Sequence, residues 1–347
     1  MPSFRVGRIT DVLLERPGLQ RVLVLLENTD IPQRAYNITN LTGWVRIGDD
    51  VVCNTTAVEL GLGTGGWHVV HWNLSTRPGQ VGGGGHIMKM RYTSLQLDSG
   101  VADEHHRLSR SSLDDIPVVA CSLHSQVGVV AATLAAVRPG TRTVYVMTDA
   151  AALPIVISDL VVDLTERDLL VGTVTTGHSF GGTFEAVNVL SGLLTAAELL
   201  QPDVIIVGMG PGVVGTGTRF GTTALETADL VHAIVSLGGR AIAALRVSSA
   251  DPRMRHRGVS HHTTTALGLI RPGTPFVVPL PEPLEGEFAI PGFGPDANVV
   301  SVTVPDIGVL LEATGLRITT MGRGPADDPA FFRFAAAAGV VAATMVR

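Results

Sequence analysis

Two segments of the sequence carry the residue types that bind anions. The first, Gly208–Gly221, contains a GxGxxG pattern after an apolar run, and the second, Asp251–His262, contains three arginines. Glycine lets backbone N–H groups approach an anion at a helix N-terminus, and guanidinium groups form charge-assisted hydrogen bonds with phosphate or carboxylate. The residues expected to bind the anion are Gly210, Gly212, Gly215, Thr216, Thr218, Arg219, Arg253 and Arg255. The alternatives are a tight structural turn for the first segment and a solvated basic loop for the second.

The GxGxxG pattern departs from a dinucleotide-binding fingerprint. Pro211 and the residues after Gly215 lengthen a turn whose helix normally begins within the fingerprint. Arg246 and Ser248 stand where a ribose-binding acid is expected. The sequence therefore favours a phosphate loop over an NAD(P) site and leaves the cofactor unknown.

A second motif, Gly177-His178-Ser179-Phe180-Gly181, has the G-x-S-x-G pattern of a nucleophile elbow. It makes Ser179 a candidate nucleophile, with His124 or His178 as the candidate acid or base. An α/β-hydrolase orders its triad as serine, acid and histidine along the chain, and no histidine follows His262. We therefore expect a tight glycine turn in which Ser179 is not an activated nucleophile, and a serine hydrolase is the alternative function.

Three histidines lie close together in the sequence, at His256, His261 and His262. Neutral imidazoles bind Zn²⁺ or Fe²⁺, but a site usually needs a third or fourth well-placed ligand. The spacing of these histidines is not diagnostic, and further ligands would have to come from other loops, such as His124, Asp149 or Asp251. The sequence predicts no metal site.

Lys89 is the only lysine of the chain, which excludes a Walker A loop and confines Schiff-base chemistry to this residue. Lys89 and Arg91 alternate along a predicted strand, so both side chains should project to the same face. The further pocket candidates are Asp149, Asp251, His261, His262, Lys89 and Arg91.

Five segments together resemble an uncharacterised bacterial family that is known only as a domain of unknown function. They are GLGTGGWH at Gly61–His68, GHIMKMRYT at Gly85–Thr93, GHSFGGTFEAVN at Gly177–Asn188, GMGPGVVGTGTRFG at Gly208–Gly221 and RGVSHHT at Arg257–Thr263. The resemblance extends over most of the chain. It implies a bacterial origin and one continuous architecture, and it assigns no activity, substrate or catalytic residue.

The elements that must position these residues fall into two regions. Residues 1–98 read as short strands separated by tight turns, which predicts a small β-barrel, and residues 99–116 read as a polar linker. From residue 117 to 347, strand–loop–helix units alternate and predict a mostly parallel, doubly wound sheet of the Rossmann-like α/β class. The predicted strands are Pro117–Cys121, Val144–Met147, Leu169–Thr175, Val204–Val207 and Ala241–Val247. The clearest predicted helices are Val127–Val137, Thr183–Leu200 and Thr222–Leu237.

The loops that follow parallel strands lie at one edge of the sheet, where α/β proteins bind their ligands. The anion-binding segments, the G-x-S-x-G turn, His124 and Asp149 all follow predicted strands. We therefore expect these residues to converge on one pocket, and the segments Gly208–Gly221 and Asp251–His262 to lie side by side.

Composition narrows the function further. The net charge is −6 without a basic run, which argues against nucleic-acid and anionic-membrane partners. Two cysteines in unrelated contexts and no secretory pattern predict a soluble cytoplasmic protein. The leading hypothesis is a protein that binds an anionic, phosphorylated or nucleotide-like small molecule, with or without turnover. A non-catalytic sensor or scaffold is a third hypothesis, and the sequence leaves open whether the chain forms a homo-oligomer.

Overall fold

The computed structural model describes residues 1–63, 65–76, 85–151, 153–283 and 290–347. The chain divides into two units. One consists of Met1–Gly84 with Met90–Asp98, and the other of Gly85–Lys89 with Ser99–Arg347. The second unit holds the parallel sheet and the candidate site.

The first unit contains a closed five-stranded barrel, as predicted. Its strands are β1 (Phe4–Arg16), β2 (Leu19–Leu26), β3 (Gln33–Ile38), β4 (Asp50–Asn54) and β5 (His68–Asn73), in the order β1-β2-β3-β5-β4. Buried and half-buried residues alternate along β4, so that Val51 and Cys53 face a core shared with Ile9, Val22 and Val24. Two one-turn helices, α1 (Thr39–Thr42) and α2 (Thr56–Glu59), lie in the connections. Two two-residue strands follow in the sequence: β6 (Met88–Lys89) belongs to the second unit and β7 (Leu97–Asp98) to the first.

The second unit is built on an eight-stranded sheet in which every strand pairing is parallel. Its strands are β8 (Pro117–Cys121), β9 (Thr143–Thr148), β10 (Gly172–Thr175), β11 (Phe184–Glu185), β12 (Val204–Met209), β13 (Arg240–Ala244), β16 (Phe276–Glu282) and β17 (Ala297–Thr303). Their order is β11-β10-β9-β12-β8-β13-β16-β17. A separate antiparallel pair, β14 (Val247–Ser248) with β15 (Gly258–Val259), closes the loop after β13.

Helices cover both faces of the sheet. The helices of the second unit are α3 (Ala102–His105), α4 (His124–Val137), α5 (Asp159–Glu166), α6 (Val189–Thr195, continued by a π-helical turn at Ala196–Leu200), α7 (Glu226–Ser236), α8 (His261–Leu267), α9 (Ile307–Thr314) and α10 (Pro329–Met345). Alternate strand residues enter different cores: Val119 and Cys121 pack with α4, whereas Val118 and Ala120 pack with α7. The predicted doubly wound α/β architecture is therefore confirmed. Within the described residues, no helix combines the length and the hydropathy needed to cross a membrane.

The connections that leave β8 and β12 run on opposite faces. The chain passes from β8 through α4 to β9, and from β12 through α7 to β13, although β8 and β12 are neighbours in the sheet. Opposed connections from adjacent strands leave a crevice at their carboxyl ends, where open α/β sheets bind ligands. The Gly-rich segment follows β12 and borders this crevice.

Several predicted boundaries were wrong. The predicted helix Thr183–Leu200 begins with the edge strand β11, and its helical part starts at Val189. The strand predicted over Ala241–Val247 ends at Ala244, because Val247 pairs with Val259 instead. The strand predicted to hold both Lys89 and Arg91 ends at Lys89, since Met90 takes the left-handed conformation with φ of 50°.

Candidate functional site

The two predicted anion-binding segments lie side by side at the carboxyl edge of the sheet. The Thr222 hydroxyl is 3.4 Å from His262 Nδ1. A Cβ on Gly215 would lie 3.1 Å from His262 Cε1, and a Cβ on Gly217 would lie 3.7 Å from the Arg255 guanidinium carbon. Gly217 has a φ of +85°, so the approach to Arg255 occurs where an L side chain would be strained. The predicted juxtaposition of the two segments is confirmed.

The second half of the Gly-rich segment closes on itself as a small turn. Thr216 N–H donates to the Gly221 carbonyl at 2.8 Å, and the Thr216 and Thr218 hydroxyls are 2.9 Å apart. The Arg219 guanidinium stacks over the Phe220 ring at 5.0 Å, and both side chains are exposed. Some of the donors that the sequence assigned to a ligand therefore already have partners within the turn.

Asp251 is buried in the second segment and forms ion pairs with arginines. Its carboxylate makes a two-pronged ion pair with Arg253, at 3.0 Å to Nε and 2.9 Å to Nη2, and lies 3.4 Å from Arg246 Nη2. The Arg253 hydrogen bonds hold the pKa of Asp251 well below its usual range, while burial lowers the pKa of Arg246 to about 10. Arg253 is thus committed to Asp251. Arg255 is exposed, and the described residues give it no carboxylate partner.

The three histidines of this segment converge. Ring nitrogens from His256, His261 and His262, one from each, all lie within 4.8 Å of one another. His256 and His262 are buried and His261 is half-buried. Burial lowers the pKa of His256 to about 3 and that of His262 to about 4, and the nearby arginines act in the same direction. Burial and the same arginines lower the pKa of His261 as well, so all three imidazoles are neutral at physiological pH.

The first half of the Gly-rich segment borders a separate cavity of about 310 Å³ in the crevice between β8 and β12. The N-terminus of α4 contributes His124 and Ser125, and the segment after α9 contributes Arg317 and Thr319. The remaining lining residues are Leu123, Leu160, Pro211, Gly212, Val213, Ile318, Thr320 and Met321. No acidic residue is among the lining residues, although the chain is acidic overall.

His124 is held by hydrogen bonds at both ring nitrogens. Nε2 is 2.7 Å from Ser158 Oγ, and Nδ1 is 3.3 Å from the buried hydroxyl of Tyr145. The Tyr145 hydroxyl in turn donates to the carbonyl of Met209 at 3.0 Å. Burial lowers the pKa of His124 to about 4, so the ring is neutral. This geometry fixes the imidazole in place and does not favour the predicted acid–base role.

The G-x-S-x-G turn follows β10 and is held by buried polar contacts. The Ser179 side chain is fully buried, and its hydroxyl donates to the Thr148 carbonyl at 2.9 Å. His178 N–H donates to Asp149 Oδ2 at 3.0 Å. A Cβ at Gly177, whose φ is +62°, would lie only 2.1 Å from the same oxygen, so the Asp149 side chain requires glycine there. These contacts are those of a structural turn.

Lys89 and Arg91 occupy different units. The Lys89 ammonium is fully buried, where it donates to the carbonyls of Thr175 and Ser179 and pairs with Glu185 at 2.5 Å. Burial lowers the pKa of Lys89, while the Glu185 carboxylate acts in the opposite direction. Arg91 is exposed and belongs to the unit that contains the barrel. The predicted shared face for these two side chains is wrong.

Residues 34–339 match a protein-family model described as a protein of unknown function (DUF3866). The chain belongs to the DUF3866 family. A comparison with curated proteins gives no match. The region matched to DUF3866 contains every loop of the candidate site, from the start of α4 to Met321.

In this DUF3866 protein the sequence reasoning missed Arg317, Ser125 and Glu226. Arg317 lies between α9 and α10 in a segment that does not follow a strand, so no sequence pattern indicated that it lies at the edge of the sheet. Ser125 follows His124 in the first turn of α4, and its position after a strand was an available signal. Glu226 opens α7, and burial raises its pKa to about 7, with the carboxylates of Asp149 and Asp229 acting in the same direction.

Proposed function

We propose that this protein binds an anionic small molecule in the cavity between the carboxyl ends of β8 and β12. The observation that carries the proposal is the joint lining of this cavity by Arg317, the Gly-rich segment at Gly212 and the N-terminus of the 14-residue helix α4. Helix N-termini carry a partial positive charge and unpaired N–H groups, both of which favour an anion.

The charge and the size of the cavity define the ligand class. Arg317 supplies a guanidinium group without an acidic neighbour in the lining, and Ser125 and Thr319 add hydroxyl groups. A volume of about 310 Å³ is at the small end of the range of about 300–1,000 Å³ for ligand pockets. A single phosphorylated or nucleotide-like metabolite suits this space better than a dinucleotide.

Binding without turnover fits the side chains around the cavity. Both ring nitrogens of His124 have hydrogen-bond partners, and the hydroxyl of Ser179 is buried against a backbone carbonyl. A general base or nucleophile needs its reactive atom within reach of the substrate. These contacts therefore favour a sensor-like binding protein over the serine hydrolase.

We infer a cytoplasmic setting from the two cysteines. Cys53 and Cys121 are buried free thiols, and burial raises the pKa of Cys53 to about 12. Free thiols without a disulfide partner are typical of proteins from reducing compartments.

The proposal is tested with a panel of phosphorylated metabolites, by native mass spectrometry and thermal shift. A charge-assisted hydrogen bond contributes about 1.5–3 kcal/mol, so Arg317→Gln should weaken binding of any hit at least about tenfold. Arg271→Gln, which removes an exposed arginine outside the cavity, is the matched control and should leave affinity unchanged. Equal affinity in wild type and Arg317→Gln, or no binding across the panel, would count against the proposal.

A further inference from the structure

We propose that His256, His261 and His262 form a mononuclear transition-metal site of the Zn²⁺ or Fe²⁺ class. This inference does not depend on the proposed anion cavity, because none of the three histidines lines that cavity. It replaces the expectation from spacing alone that the chain has no metal site.

The local fold explains how a spacing without a recognisable pattern produces a cluster. His256 ends a short 3₁₀ turn at Met254–His256, whereas His261 and His262 begin α8. Between them the chain reverses through β15, whose Val259 pairs with Val247 of β14. The reversal brings the His256 ring within 4.9 Å of the His261 ring and 4.8 Å of the His262 ring, measured between centroids.

The distances suit one metal ion after a small contraction. With metal–nitrogen bonds of about 2.0–2.1 Å, tetrahedral geometry places ligand nitrogens about 3.3 Å apart. The three ring nitrogens lie within 4.8 Å of one another. Binding would require changes of side-chain torsion angles in the three histidines to close this difference, and the half-buried His261 is the side from which an ion would enter.

Two of these rings have a nitrogen that lacks any protein partner. Nε2 of His261 and Nε2 of His262 are buried and make no hydrogen bond in the part of the chain that the structure describes. A buried polar atom without a partner destabilises the fold, so such atoms are rare unless a ligand or an ion satisfies them. Here both belong to the same cluster.

In two of the rings, the other nitrogen is hydrogen-bonded to a hydroxyl group, as is usual for histidines that bind a metal. His256 Nδ1 is 2.8 Å from Ser260 Oγ, and His262 Nδ1 is 3.4 Å from Thr222 Oγ1. A hydroxyl oxygen that accepts from Nδ1–H leaves the Nε2 lone pair available for a metal. The same two hydroxyls cap neighbouring helical turns, which fixes their positions.

The ligand set leaves the metal open to an additional ligand. Asp251 is the nearest carboxylate of the same segment, and it is engaged by Arg253 and Arg246. Three protein ligands with an open fourth position are typical of reactive zinc sites, whereas structural sites are closed by four protein ligands. The exposed Arg255 lies beside Gly217, where the Gly-rich and Asp251 segments meet. Because its guanidinium group is positively charged, an anion is the favoured fourth ligand.

The test is titration of the chelator-treated, full-length protein with Co²⁺ and Zn²⁺. We expect about one equivalent of Co²⁺ to bind, with visible d–d absorption of a four- or five-coordinate ion and hyperfine-shifted, exchangeable imidazole N–H resonances. Zn²⁺ should displace it and raise the melting temperature. His261→Ala, the least buried of the three positions, should weaken Co²⁺ binding at least about a hundredfold.

His105→Ala is the matched control, because His105 is exposed and lies outside the cluster, and it should bind Co²⁺ as the wild type does. If His261→Ala does not fold, the hyperfine-shifted imidazole resonances of the wild-type Co²⁺ form decide the matter without a variant. Absence of these resonances, less than about a tenth of an equivalent bound, or unchanged binding in folded His261→Ala would overturn the proposal.

Discussion

Glu226 is an ionisable residue at the edge of the sheet whose charge should oppose folding. Its Oε2 atom is buried and makes no well-formed hydrogen bond within the described residues, although the nearby Thr148 hydroxyl acts to lower the pKa of the carboxyl. Burial, together with Asp149 and Asp229, raises the pKa of this carboxyl from 4.5 to about 7. The folded state therefore holds a proton that the unfolded chain releases at lower pH, and folding loses stability as the pH rises from about 4.5 to 7.

Glu226→Gln should remove this loss. A pKa difference of this size corresponds to a few kcal/mol at most, and for a partly exposed group we expect about 1–3 kcal/mol of stabilisation at pH 8. Near pH 4.5 the variant and the wild type should have similar stability. Urea unfolding at several pH values measures the difference. Glu312→Gln on the exposed side of α9 is the control, and a stability gain for Glu226→Gln that does not change with pH would contradict this account.

At the scale of elements, the first turn of α4 allows helix stability and ligand binding to be separated. Ser125→Asp adds a negative charge at a helix N-terminus, which should stabilise the protein by about 0.3–1 kcal/mol. The same charge lines the cavity beside Arg317 and should repel an anionic ligand.

We therefore expect Ser125→Asp to melt at the same or a higher temperature than the wild type and to bind the metabolite at least tenfold more weakly. Ser125→Asn is the neutral control, and it should retain binding. Calorimetric titration and thermal unfolding give the two readouts. Undiminished affinity in Ser125→Asp would place the anion elsewhere on the molecule.

The elements also show where sequence reasoning succeeds and fails. β8 was predicted at its observed bounds, because a buried parallel strand reads as a continuous apolar run. The edge strand β11 has only two residues, too short for any periodicity to reveal it before α6. The adjacency of the Gly-rich and Asp251 segments was predicted because loops that follow parallel strands lie at one edge of the sheet, and the alternation of strands and helices is visible in the sequence.

The contents of the site were harder to predict, because they depend on which side chains already have partners. Arginine is a residue type that binds anions, yet the guanidinium group of Arg253 is bound by Asp251, two residues earlier in the chain. Arg317 follows no strand and reaches the cavity through tertiary packing of the segment after α9. The convergence of His256 on His261 depends on the β14–β15 pairing, a long-range contact that neither residue spacing nor hydrophobic period encodes.

At the scale of the whole molecule, the hydrophobic cores of the two units are separate. The barrel core draws on residues between Ile9 and Val70, whereas both cores of the sheet draw on residues from Leu113 onward. A fragment of residues 85–347 should therefore fold on its own. Its N-terminal boundary matters, because Lys89 precedes Met90 and is buried among Thr175, Ser179 and Glu185 of the sheet unit.

The decisive comparison is between fragments 85–347 and 90–347. The shorter fragment leaves Glu185 without its buried ammonium partner, and breaking a buried ion pair from one side costs about 3–5 kcal/mol. We expect the free energy of unfolding of fragment 90–347 to be lower by this amount, so that it unfolds at a lower urea concentration. Lys89→Met in fragment 85–347 should be destabilised to a similar extent. Equal unfolding midpoints for fragments 85–347 and 90–347 would contradict the role of Lys89. Because residues 85–88 are present in the Lys89→Met fragment, its agreement with fragment 90–347 would assign the loss to the ammonium group and not to the shortened chain.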